Sequence, residues 1–191
     1  MNDIIEIESF LDPADVEEIN NFLTSSNFAW YYNPGISGLV NDKDLKNDSN
    51  IKDVDGFVHQ FVHSSKIESP HAQIVNIILQ ALEEKGIITV SDVIRARAIL
   101  VYKDSTFGDY YQKPHVDWNS QHYTVLYYVN DTDGDTIFFE EMYKEDDHSK
   151  KTIQKRIAPK KGKCVIFNGL KYHTGSVPSN NNRIAISINY I

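Results

Sequence analysis

The last stretch of the chain alternates most cleanly. Ile184, Ile186, Ile188 and Tyr190 fall on one side of an extended segment, and Arg183, Ala185, Ser187 and Asn189 on the other. The same period of two predicts a strand over His122 to Asn130, where Thr124, Leu126 and Tyr128 oppose Tyr123, Val125 and Tyr127. Ile94 to Tyr102 is long and apolar enough to be central. Asp3 to Phe10, Phe28 to Tyr32, Phe57 to His63 and Thr136 to Glu140 also read as strands, and Thr152 to Ala158 with Lys163 to Phe167 reads as a hairpin around Lys160–Gly162. Helical spacing occurs twice. Asp12 caps a helix that opens on Pro13 and carries Val16, Ile19, Phe22 and Leu23 on one stripe. Ser69 and Pro70 open another with Ile74, Ile77, Ile78 and Ala81 inward and Gly86 as its stop. Both stripes predict helices that cover one face of a sheet.

One stretch escapes this pattern. Asn33 to Asp55 is polar, glycine-containing and too long for an ordinary connection. Two readings stand: a solvated surface loop, or a lid that is mobile in the free protein and orders over the site when substrate binds. Met142 to Lys151 is a charged, solvent-facing excursion.

At 191 residues the chain has the length of one ordinary domain, expected to span 1–191, and is large enough to bury roughly 70% of its unfolded surface. Its 11 tyrosines and 9 phenylalanines favour a strand-rich globule over disorder. A net charge of -8 argues against non-specific binding to a nucleic-acid backbone. No run approaches 18 apolar residues and no basic leader opens the chain, so a cytoplasmic protein with no membrane partner is expected. The lone Cys164 cannot form an internal disulfide and reads as a small buried strand residue.

Candidate chemistry gathers around Gln112–Trp118. His115 and Asp117 are two apart, so in an extended segment their side chains share a face. His173 follows, and Arg183 comes ten residues after it. Two histidines and one carboxylate with positions left open are the ligand set of non-haem Fe(II) oxygenases, and an arginine can hold an acidic cosubstrate by a bidentate contact. His59 and His63 also share a face, but no acid or cysteine supports a metal there, and they read as ordinary packing. The turn Asp131–Asp135 lacks the glycine and acid positions of a calcium loop.

The order His115-x-Asp117, His173, Arg183 resembles the Fe(II)/2-oxoglutarate-dependent oxygenase superfamily. Tyr127–Phe138 and Pro159–Phe167 resemble segments of its prolyl 4-hydroxylase-like branch. The resemblance covers roughly residues 93–191. Together with at least eight strands and two helices, it implies a mainly β fold, a double-stranded β-helix (jelly roll) with helical support. It implies His115, Asp117 and His173 as ligands of Fe(II), and 2-oxoglutarate held by Arg183 in a pocket lined by Ala185 and Ser187. Thr136 and either Tyr102 or Tyr111 are implied as further contacts, and ascorbate as an auxiliary reductant. The implied reaction hydroxylates an unactivated C–H bond of a peptidyl or small-molecule substrate, prolyl included, with succinate and carbon dioxide as co-products. Arginine at position 183 departs from that branch, which often uses lysine. The competing expectation is a metal-binding jelly roll without oxygenase activity, a sensor or structural protein.

Overall fold

The computed structural model describes residues 4–191; Asp3, expected to begin the first strand, lies outside them. The first half of the chain runs β1 (Ile4–Ile7), α1 (Pro13–Leu23), β2 (Tyr31–Asn33), α2 (Asp42–Asn47), β3 (Gly56–His63), β4 (Lys66–Ile67) and α3 (Gln73–Glu84). Strands then dominate: β5 (Val93–Val101), β6 (Tyr123–Tyr128), β7 (Thr136–Met142), β8 (Ile153–Ile157), β9 (Cys164–Asn168), β10 (Lys171–Gly175) and β11 (Arg183–Tyr190). A major antiparallel sheet has the order β1-β9-β6-β11-β5-β3-β2, with β4 on β3, and a minor sheet has the order β10-β7-β8. The two face each other as a double-stranded β-helix.

The alternation of β11 and β6 separates the layers. Ile184, Ile186, Ile188, Val125 and Tyr127 pack in one core with Ile19 and Leu23 of α1 and Val75, Ile78 and Leu82 of α3. Both helices thus cover the outer face of the major sheet, as their stripes require. Asp12 caps α1 by accepting from the Ala14 N–H at 2.8 Å, with Pro13 at the first position, where no donor is lost. The opposite face of β6, β9 and β11 supplies Leu126, Tyr128, Val165, Phe167 and Ala185, which meet Phe138 and Ile157 of the minor sheet. A third cluster, Ile51, Tyr111, Ile137, Phe139 and Tyr172, lies on the far side of β7 and β10.

Several expectations are corrected. β8 and β9 do not form a hairpin: β8 pairs β7 in the minor sheet, while β9 lies between β1 and β6 in the major one. Alternation identifies a strand but not its partner. β9 is buried along most of its length, whereas β8 is largely exposed, as an edge strand can be. The second strand is shorter than Phe28–Tyr32, because Phe28 packs into the helical core instead. α3 starts at Gln73, since Ser69 serves as an acceptor for the His71 N–H rather than as the cap. β10 was not expected, having no apolar alternation in Lys-Tyr-His-Thr-Gly.

Asn33–Asp55 is also more structured than its composition implies. Asn41 accepts from the Lys43 and Asp44 N–H groups while Asp44 accepts from the Asn41 N–H, a capping box that starts α2. Ile51 then bridges Tyr111 in parallel. No helix among the described residues is long and apolar enough to cross a membrane.

Gly169, in the turn between β9 and β10, offers a test of this packing. A Cβ there would lie 2.0 Å from Nε2 of His122, whose ring is fully buried and cannot withdraw into solvent. Gly169→Ala is expected to destabilise the fold by about 1–3 kcal/mol in chemical denaturation. An unchanged midpoint would mean the ring is free to move aside.

Candidate metal centre

His115 and His173 are brought together by the backbone. Segment 111–115 runs antiparallel to β10, and the His115 N–H donates to the His173 carbonyl while the His173 N–H donates to that of His115, both at 3.0 Å. Such a reciprocal pair puts the two side chains opposite each other on one face, and the ring centroids are 4.7 Å apart. Each Nδ1 sits 3.1 Å from the carbonyl oxygen two residues earlier, that of Lys113 or Lys171. A carbonyl can only accept, so Nδ1 carries the proton and Nε2 offers a lone pair, as a metal-binding imidazole needs. Burial, reinforced by the neighbouring His173, pushes the His115 pKa down to about 3. Burial lowers that of His173 too. Both rings are neutral near pH 7.

Asp117 lies past the paired segment and completes the group. One potential ligand atom from each of His115, Asp117 and His173 falls within 4.8 Å of the others, the only such group among the described residues. The Asp117 carboxylate is buried, which alone would raise its pKa, but Arg95 and Arg97 of β5 hold it well below the usual carboxylate range. Arg95 Nη2 donates to Oδ1 at 2.5 Å, and Arg97 Nη2 lies farther away at 3.4 Å. On the other oxygen, Ser187 Oγ donates at 2.9 Å and Asn189 Nδ2 at 3.1 Å. Register explains this convergence, since β11 and β5 pair Ser187 with Arg97 and Asn189 with Arg95.

At the other end of the same face, Arg183 Nη2 donates to Thr136 Oγ1 at 2.9 Å, and the Tyr128 hydroxyl donates to the same oxygen at 2.7 Å. The Arg183 guanidinium lies 5.8 Å from the Tyr128 ring centroid. Its Nε is buried with no hydrogen-bond partner. A cavity of about 50 Å³ joins the two ends, lined by Arg97, Asp117, Thr136, His173, Arg183 and Ser187. Ile36 and Ser37 of the long polar segment close part of its wall, and Ser37 Oγ donates to Gln112 Oε1 at 2.6 Å.

Of the residues singled out in the sequence, His115, Asp117, His173, Thr136, Arg183 and Ser187 converge on this cavity. The two tyrosines do not. Tyr102 is 55% exposed with its ring against Phe57. Tyr111 faces the outside of the minor sheet, where its hydroxyl donates to Asp48. Tyr128 is the tyrosine that reaches the Arg183 end, through its bond to Thr136. Its signal was its alternation with Leu126 on the face opposite Val125, which alone cannot tell a functional tyrosine from a packed one. Arg95 and Arg97 were also missed. Two arginines alternating with alanines in an otherwise apolar central strand could have marked them. His59 is an ordinary core histidine, bonded to the Ala29 carbonyl and the Ser69 hydroxyl, each at 2.8 Å.

Residues 98–191 match the 2OG-Fe(II) oxygenase superfamily. No curated protein sequence matches the chain. Among solved structures, an oxidoreductase of the 2OG-Fe(II) oxygenase family from Burkholderia pseudomallei aligns with a TM-score of 0.66 at 12% identity, over 98% of this chain and 84% of that one. A Trichoplax adhaerens prolyl hydroxylase, in complex with a hypoxia inducible factor oxygen degradation domain peptide fragment, aligns with a TM-score of 0.59 at 14% identity, over 100% and 84%. The non-heme alpha ketoglutarate dependent epimerase SnoN from nogalamycin biosynthesis aligns at 0.62 and 12%, over 99% and 78%. At these identities the likeness is one of fold.

Thr136 is the joint of the polar cluster, its oxygen accepting from both Arg183 and Tyr128. Thr136→Val keeps the shape but leaves both donors without that acceptor in a buried place. It is expected to cost about 1–3 kcal/mol of stability in thermal or chemical denaturation without added ligands, and Thr136→Ser is expected to retain most of it.

Proposed function

We propose that the chain, whose residues 98–191 match the 2OG-Fe(II) oxygenase superfamily, is a 2-oxoglutarate-dependent iron dioxygenase that hydroxylates an unactivated C–H bond of a peptidyl or small-molecule substrate, prolyl substrates included. One observation carries the assignment of residues. Three potential ligand atoms within 4.8 Å share a cavity with a buried arginine that keeps an unpaired donor.

In this reading His115, Asp117 and His173 hold Fe(II). Two neutral imidazoles and a carboxylate fit that ion and leave positions open for cosubstrate. When bound, the iron and 2-oxoglutarate supply the oxidative chemistry that yields succinate and carbon dioxide. The chain's own residues position and enclose. Lys113 and Lys171 carbonyls fix the imidazole tautomers, and Arg95, Ser187 and Asn189 orient the carboxylate. Arg183, Thr136 and Tyr128 receive the distal carboxylate of 2-oxoglutarate, with the free Arg183 Nε turned to use. Ile36 and Ser37 limit the access of water. The range of substrates suits a fold shared with a peptide-bound prolyl hydroxylase and an epimerase. A cytoplasmic setting suits ferrous iron and the buried lone thiol of Cys164.

With Mn(II) and 2-oxoglutarate under anaerobic conditions the melting temperature is expected to rise by several degrees, because a ligand at a hundred times its Kd stabilises by about 2.7 kcal/mol. Aerobic Fe(II) and 2-oxoglutarate are expected to release succinate. Arg183→Ala is expected to weaken 2-oxoglutarate by about ten- to a hundredfold while metal affinity stays close to that of the parent, with Arg183→Lys in between. His173→Ala loses the metal first. Separate titrations of metal and cosubstrate check this, and parent-like 2-oxoglutarate affinity in Arg183→Ala would sink the assignment.

A further inference from the structure

Arg97 has more hydrogen-bonding capacity than its surroundings use. Its side chain is 15% exposed and lines the cavity. Its Nε is buried with no partner, and its nearest approach to Asp117 is 3.4 Å, at the limit of a hydrogen bond. Asp117 draws on its charge but has three closer hydrogen-bond donors, Arg95 at 2.5 Å, Ser187 at 2.9 Å and Asn189 at 3.1 Å, which serve both carboxylate oxygens. A buried guanidinium remains charged, and leaving its donors unpaired is costly. A group that arrives with the substrate can satisfy them.

Charge points the same way. Arg95, Arg97 and Arg183 against Asp117 and the Asp135 that acts on Arg183 give three positive and two negative charges, a protein contribution of +1, with both histidines neutral. Adding Fe(II) and the 2-oxoglutarate dianion leaves that +1 unchanged. The chain as a whole carries -8, so this positive interior is local and not a reflection of composition.

Position separates Arg97 from the cosubstrate's distal anchor. On the β5–β11 ladder Arg183 pairs with Val101 and Ser187 with Arg97, four rungs or roughly 14 Å apart. Arg97 is therefore level with Asp117, at the end of the cavity away from Arg183 and Thr136.

We propose that Arg97 is the anion receptor for the primary substrate, and that this substrate carries a carboxylate or phosphate close to the carbon that is oxidised. The proposal rests on the oxygenase reading above. It narrows the substrate class to acids: an amino-acid or peptide carboxylate, or a phosphorylated small molecule. A guanidinium fork grips either group through two parallel N–H bonds.

Calorimetric titration of the protein loaded with Mn(II) and 2-oxoglutarate, without oxygen, tests this. The probes are N-acetylated amino acids against their amides, and sugar phosphates against the free sugars. At least one acid series is expected to bind about tenfold or more tighter than its neutral partner, and the series that does so identifies carboxylate or phosphate. Arg97→Gln is expected to abolish that preference and Arg97→Lys to keep part of it. The wild-type comparison stands even if a variant fails to fold. Failure of Mn(II) or 2-oxoglutarate to bind overturns the oxygenase reading and this proposal together. Normal loading with no preference for any acid overturns the proposal alone. So does a preference that survives Arg97→Gln, or an Arg97→Gln variant whose main loss is in metal or 2-oxoglutarate affinity, which would make Arg97 a positioning or cosubstrate residue.

Discussion

A buried carboxylate sets the terms for the rest of this structure. Removing Asp117 from water without compensation would cost several kcal/mol. The chain meets that cost with two arginines from β5 and with Ser187 and Asn189 from β11. All four reach one carboxylate only because β5 and β11 pair in a single register, with Ser187 opposite Arg97 and Asn189 opposite Arg95. A slip of one residue would turn these side chains toward the helices and isoleucines toward the site. The helices α1 and α3 oppose such a slip, because they bury the isoleucine face. Packing on one side of the major sheet thereby fixes polar geometry on the other.

The two histidines depend on a different constraint. Their spacing comes from backbone hydrogen bonds between segment 111–115 and β10, and their tautomers from carbonyls two residues earlier. Strand pairing and local carbonyls thereby set the positions and tautomers of both rings. Asp117, just beyond the paired segment, relies on side-chain partners instead.

The long segment 33–55 joins these parts from outside. Its α2 is tied to Lys113 by the Asp44 ion pair at 2.7 Å, and its Ile51 bridges Tyr111. Ile36 and Ser37 meanwhile reach the cavity. Polar side chains here serve caps and ion pairs as well as solvation, so a stretch that composition reads as loose is held at several points.

By itself the sequence determined the periodicities and singled out the residues that meet at the cavity. Alternation in β6 and β11 assigned inner and outer faces correctly, and two helical stripes foretold the covered sheet face. His115, Asp117, His173 and Arg183 were legible because few chemistries call for those residue types in that order. Which strands pair was decided only by the tertiary structure. β8 and β9 look like hairpin partners along the chain yet belong to different sheets, because partnership depends on burial against segments far away in sequence. The placements of Tyr102, Tyr111, Tyr128 and Arg97 were undecidable for the same reason. A tyrosine or an arginine on a strand reads alike whether it faces solvent, a packed cluster or a reactive cavity, and only the folded environment distinguishes them.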